Sequence, residues 1–414
     1  MFTIAFIVFL LADLSVRTWL STRQLRHVTM HKNAVPDEFR DKISLCSHQR
    51  AANYTASRIR LGNIERLTEA IVLIGFTLAG GLQFIDVHTA RIFESDMLRQ
   101  LALIGCVFAI MGVIGLPFTI WRKFVIEEHF GFNRITPALF ISDTIKAIFV
   151  LLLLGTPLVA AVLWIMGNTG QYWVILAWAT WILFKLLVLW LFPTVIAPLF
   201  NKFSPLDNEE IKTRIQALAN RSGFPLKGLF VMDGSKRSSH GNAYFTGFGR
   251  NRRIVFFDTL LSRLNADEVE AVLAHELGHF KHKHILKRTI ISTVMALLFL
   301  LLLQFLSQQV WFYTNLGVVP QLGRSNDAMA LILFMLVMPV FTFWLTPLLS
   351  FMSRRDEYEA DRYAAQQSSS KALVSALVKL YNDNAATLTP DPLHSAFYDS
   401  HPPAIQRIKA LNHG

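Results

Sequence analysis

Long apolar runs dominate the chain, separated by polar stretches of very different length. Runs at about 2–20, 67–87, 99–121, 144–167, 171–195, 286–306 and 329–352 are each long enough to cross a bilayer as a helix. The first lacks a basic leader and a small-residue cleavage site, so it reads as a retained span and not a signal peptide. Residues 21–66 are polar and rich in Arg and Lys, which places them on the cytoplasmic side. Counting crossings from there divides the chain into four parts. Residues 1–198 carry spans one to five, with cytoplasmic loops 21–66 and 122–143. Residues 199–285 have the composition of a soluble domain, 286–352 hold spans six and seven around a far-side loop at 307–328, and 353–414 return to the cytoplasmic side. There is no internal repeat, low-complexity tract or flexible linker.

Inside 199–285 the apolar period changes. Residues 209–222 have the spacing of an amphipathic helix, and 228–232 read as a short strand. Runs 242–248 and 253–258, joined by Gly249-Arg250-Asn251, predict a hairpin. Asn265 and Glu268 then have the spacing of a capping box at the start of a helix, whose buried side is Val269, Leu273, Leu277 and Phe280.

Composition supports the membrane reading. Of 414 residues, 53% are hydrophobic and 17% charged, against about a quarter charged in soluble proteins. The net charge of +11 is accounted for by the cytoplasmic loops, and no basic-aromatic pattern points to nucleic acid. Cys46 and Cys106 have neither metal nor disulfide spacing. Asp13, Arg17 and Lys185 lie within spans, where charges face a partner or a wet cavity. Asp13 and Arg17, four apart, also fit a simple ion pair.

The chemistry is concentrated in AVLAHELGHFKHKH, residues 271–284. On a helix His275 and His279 share a face and can hold one zinc ion, and Glu276, about 100° round, can reach a water on that ion. A catalytic zinc needs a third protein ligand. On a helix through 355–361, Glu357 and Asp361 share one face and Asp356 and Glu359 point elsewhere. Glu357 can complete the site and Asp361 can back a ligand histidine, but a solvated acidic face fits the same spacing. His282 falls near the His275/His279 face, though with His284 it also fits a basic juxtamembrane turn.

Beyond these motifs the chain resembles the type I CAAX prenyl proteases, integral-membrane zinc proteases of the gluzincin type. The resemblance is carried in order by FVIEEHFGFN (124–133), APLFNKFSPL (197–206), GSKRSSHGNAYFTGF (234–248), RIVFFDTLL (253–261), AHELGHFKHKH (274–284), SRRDEYEADRYA (353–364) and SHPPAIQRIKAL (400–411). It implies a mainly α polytopic fold: seven helices forming a barrel around a chamber, with a small α+β metalloprotease domain on the cytoplasmic side. It implies one Zn²⁺ per chain held by His275, His279 and Glu357, with Asp361 behind a ligand and Glu276 as general base. His401, in His-Pro-Pro, resembles a family position at the active site and would stabilise the oxyanion. On the residues alone, the hairpin run 242–248 can take an extended substrate strand with Asn242 on its backbone, and Arg407 can pair with the substrate's terminal carboxylate, although a surface helix arginine fits Arg407 equally well. The implied reaction removes the last three residues from a prenylated, membrane-associated substrate, by a chain expected to be a monomer. Two features depart from the family pattern: His282, and the absence of an acidic insertion before the zinc helix. The second favours a compact member in a bacterial inner membrane over one in the endoplasmic reticulum. The rival reading is a quality-control protease of the HtpX type, which shares H-E-x-x-H and E-x-x-A-D but has fewer spans. A transporter with a structural zinc would not need Glu276.

Overall fold

The computed structural model describes residues 1–224, 226–246 and 252–413. Among the described residues six helices are long and apolar enough to cross a membrane, and a bent pair, Leu45–Phe76 and Gly81–Ile92, meeting at 54°, passes the same test together. The sequence predicts one uninterrupted span at 67–87, and the structure corrects this. The chain breaks at residues 77–80, where Gly80 takes a left-handed φ of 79°. A side chain on Gly81 would sit 2.6 Å from the carbonyl oxygen of Gly75, so the turn needs glycine there.

The spans close on themselves. Phe2–His31 packs on Leu45–Phe76; Asp96–Trp121, Pro137–Asn168, Trp173–Leu191, His284–Ser307 and Asp327–Thr342 follow in turn, and the last returns to the first. The result is a barrel around a chamber. The charges flagged within spans are partnered. Arg17 donates to Asp13 at 2.7 Å and lies over the Phe343 ring, and both line a cavity of about 430 Å³ between four of the helices. Lys185 donates to Ser292 at 3.1 Å across a helix pair. At the end opposite the polar domain, the buried Arg99 guanidinium ties Asp86, Asp96 and the Ser325 carbonyl together.

The polar domain is built on a four-stranded sheet. Its strands are β1 (Phe203–Pro205), β2 (Leu226–Met232), β3 (Ala243–Thr246) and β4 (Arg252–Phe257), in the order β1-β2-β4-β3. β2 and β4 are parallel, and the other pairs antiparallel. The predicted hairpin is present as β3 against β4, with Ala243 opposite Phe256; its joining residues Gly249, Arg250 and Asn251 lie outside the described residues. β3 is an edge strand. Ile254 and Phe256 on β4 meet Ile215 and Leu218 of helix Glu209–Arg221 and Val269, Leu273 and Leu277 of helix Ala266–Lys281 in one apolar core. That core fixes the motif helix beneath the sheet.

Candidate active site

Helix Ala266–Lys281 starts as its sequence predicts. Asn265 Oδ1 accepts from the Glu268 N–H and Glu268 Oε2 accepts from the Asn265 N–H, both at 2.9 Å. With its apolar stripe buried, the helix turns His275 and His279 towards a second helix, Thr346–Gln367. The two helices touch at backbone distance: a Cβ on Gly278 would lie 2.8 Å from the Cα of Ala360. Thr346–Gln367 is the polar-side continuation of the last span, the whole rod running Asp327–Gln367 over 41 residues. Glu357, Ala360 and Asp361 therefore reach the motif helix on a lever that starts in the bilayer.

Helical spacing alone leaves Glu357 open between ligand and solvated face, and the family resemblance makes it a ligand; in the structure it is 2% exposed and faces both histidines. His275 Nε2 and His279 Nε2 are 3.3 Å apart, His275 Nε2 and Glu357 Oε2 3.4 Å, and His279 Nε2 and Glu357 Oε1 3.2 Å. Tetrahedral ligands at about 2.0–2.1 Å from zinc stand about 3.3 Å from each other, so the three residues fit the ion. Glu357 Oε2 is buried without a hydrogen-bond partner, the orphaned acceptor such a site would contain. These three are the one group among the described residues whose ligand atoms converge for a metal. Glu276 is half-buried and has no hydrogen bond or ion pair among the described residues, leaving its carboxylate free for chemistry.

Behind the ligands the structure brings Asp361 and Arg407 together. Asp361 Oδ1 lies 2.8 Å from His275 Nδ1, and Arg407 binds both Asp361 oxygens, at 2.8 and 2.6 Å. Burial alone would lower the His275 pKa, but Asp361 and Glu357 outweigh it and raise it to about 9. Arg407 is buried, and its fork is occupied by Asp361. His401 stands at the mouth, its side chain 60% exposed and Nε2 3.4 Å from Glu357 Oε1. Asn242 is exposed at the start of β3, where its Oδ1 accepts from the Ala243 N–H at 2.9 Å.

Two residues that sequence spacing sets aside lie against the centre. His284, expected in a basic turn, is 1% exposed with Nδ1 3.0 Å from His279 Nδ1. Glu359, expected to point elsewhere, faces His284 Nε2 at 3.1 Å. His282 stays outside, stacked on His284 and half exposed.

A helical barrel in the bilayer that holds a two-histidine, one-glutamate centre on its polar side, with an unpaired carboxylate beside it, is a membrane metalloprotease. Residues 24–202 match the family described as "CAAX prenyl protease N-terminal, five membrane helices", and residues 205–414 match peptidase family M48. The chain belongs to peptidase family M48. It is 32% identical to CAAX prenyl protease 1 of Saccharomyces cerevisiae over 98% of this chain and 94% of that one. It is 33% identical to the CAAX prenyl protease 1 homolog of Mus musculus over 95% of this chain and 92% of the other. Its fold resembles the crystal structure of S. mikatae Ste24p with a TM-score of 0.91 at 30% identity, covering 99% of this chain and 98% of that chain.

Proposed function

We propose that this chain is a zinc endopeptidase that removes the C-terminal three residues from prenylated CAAX-type proteins. The observation that carries the reading is the convergence of His275, His279 and Glu357 with the unpaired Glu276 beside them. The names of its relatives supply the substrate class. Zinc, held by His275, His279 and Glu357, would act as a Lewis acid on the scissile carbonyl and bring the pKa of a water down to about 7. Glu276 takes the proton of the attacking water and passes it to the leaving amine. Asp361 holds His275 through Nδ1, and Arg407 holds Asp361, so Arg407 positions a ligand and is not the partner of the substrate's carboxylate.

The substrate adds to the open edge of β3 as an extended strand. The Phe257 N–H donates to the Asn242 carbonyl, so Asn242 and Tyr244 face β4 and alternation leaves Ala243 and Phe245 facing outward. The Ala243 N–H is already satisfied by the Asn242 side chain, which keeps its amide NH₂ for the substrate backbone. His401, exposed at the mouth, donates to the developing oxyanion. A lipidated substrate partitions into the bilayer, and the barrel meets it there, with residues 199–285 and 353–414 forming the protease domain on the cytoplasmic side of a bacterial inner membrane.

Purified protein should cleave a farnesylated CAAX peptide, lose that activity to a chelator and regain it with zinc. Equal rates on matched farnesylated and unprenylated peptides would overturn the substrate assignment in favour of membrane-protein quality control.

A further inference from the structure

The two histidines of the centre are backed differently. His275 Nδ1 meets the Asp361 carboxylate directly, at 2.8 Å. Among the described residues His279 Nδ1 meets no carboxylate; its neighbour is His284 Nδ1, at 3.0 Å. On the far side of that ring, His284 Nε2 lies 3.1 Å from Glu359 Oε2 and 3.6 Å from Asp356 Oδ1. Asp356 is engaged by Arg288 at 2.9 Å, whereas Glu359 has only longer contacts besides His284, to Arg355 at 3.7 Å and His282 at 3.9 Å. Glu359 is therefore the carboxylate aimed at His284.

These contacts determine where each proton sits. His279 Nε2 is the atom that converges with His275 and Glu357. A neutral imidazole using Nε2 as a ligand carries its single proton on Nδ1. That proton points at His284 Nδ1, which must accept it and so be bare. The proton of His284 is then on Nε2, directed at Glu359. No other placement lets all three groups pair. The turn that makes this possible is Lys283, a non-glycine residue in the left-handed region at φ 57°. It turns the chain between the motif helix and the sixth span, and His284, the first residue of helix His284–Ser307, lies against His279.

We propose that His284 is a positioning residue: with Glu359 behind it, it fixes the tautomer and ring orientation of His279 and thereby sets the metal affinity of the site. The inference rests on His279 being a metal ligand, as the proposed function has it. It differs from that reading in placing half of the support on a residue at the mouth of a membrane span.

The test measures zinc dissociation constants by competition with a chelator on the full-length protein, together with the thermal midpoint of the metal-free form. His284→Phe removes the acceptor for His279 and should weaken zinc binding 10–100-fold, with the metal-free midpoint unchanged. His284→Gln offers a carbonyl oxygen to His279 and an NH₂ to Glu359, and should recover most of the loss. Glu359→Leu should weaken binding in the same direction as His284→Phe. Wild-type affinity in His284→Phe, or no recovery in His284→Gln, overturns the proposal. His279→Ala separates the two levels: retention of zinc there sinks the ligand assignment itself, whereas loss there with normal affinity in His284→Phe sinks only the role of His284.

Discussion

Gly278 is the residue at which a single methyl group should matter most to the centre. It sits inside the H-E-x-x-H motif, one position before the proposed ligand His279, and packs on Ala360, three positions after the proposed ligand Glu357. A Cβ added there would meet the Ala360 Cα at 2.8 Å, its carbonyl oxygen at 3.1 Å and its Cβ at 3.2 Å. Carbon atoms pack at about 3.5–4.0 Å, so the two backbones must part by roughly 0.7 Å or more. Neither partner is a flexible side chain that can move aside. Metal–ligand distances tolerate about 0.2 Å, so a separation that size takes Glu357 out of range of an ion held by His275 and His279.

The fold itself should suffer less. Ala gains about 1 kcal/mol over Gly in a helix interior, and overpacking costs about 1–3 kcal/mol, leaving a net destabilisation of about 0–2 kcal/mol. The expected signature of Gly278→Ala is therefore a small change in the thermal midpoint of the metal-free protein with at least tenfold weaker zinc binding by chelator competition. Combining it with Ala360→Gly should not restore affinity, because the Cα and carbonyl contacts remain. Gly278→Ala with wild-type zinc affinity and peptidase rate would refute the argument that backbone contact sets the ligand spacing.

Three further outcomes follow from the same geometry. Glu276→Gln should keep its zinc by elemental analysis and lose about 10²–10⁴ in turnover, the usual contribution of a general base; full activity would end the proposed mechanism. Arg407→Lys gives up the two-pronged hold on Asp361, and should slow cleavage equally for peptides ending in a free carboxylate or an amide; a loss confined to the free acid would restore a carboxylate-binding role. Burial of Glu268 favours its neutral form, but hydrogen bonds from Lys379, Ser375 and the Asn265 N–H outweigh it and lower the pKa. Its contribution to stability is thus present above the unfolded value of about 4.3 and lost as pH falls through the lower folded value, so Glu268→Gln should flatten the acid limb of a pH–stability profile.

How far the sequence carried the site depends on whether the contacts are local. The capping box, the apolar stripe and the pairing of His275 with His279 all lie within one helix, and helical spacing alone gives them. Glu357 and Asp361 share a face by the same spacing, but nothing local says that this face meets a metal and not solvent. The long-range partners were illegible. Arg407 looked free for a substrate because Asp361 is 46 positions away. His284 looked like part of a basic turn because its contact with His279 depends on the left-handed backbone at Lys283, which no periodic pattern encodes. The break in the second span does have a local cue, since Gly80-Gly81 interrupts the apolar run where the helix ends.

The placement of the proposed ligands would tie a metal to the barrel. His275 and His279 belong to a helix whose first turn, cap and buried face lie within the polar domain. Glu357 and Asp361 stand on the last 15 or so residues of the rod Asp327–Gln367, which leaves the bilayer without a flexible joint. One turn of short 3₁₀-type helix, Phe343–Leu345, is the only change of winding along it. His284 opens the sixth span. A tilt of either span relative to the sheet moves a ligand or its support before it moves anything else at the centre, because both enter within two turns of the metal residues. Spans six and seven are therefore part of the site as much as the motif helix is, and the spacing of about 3.3 Å among three ligand atoms is a readout of how those spans pack.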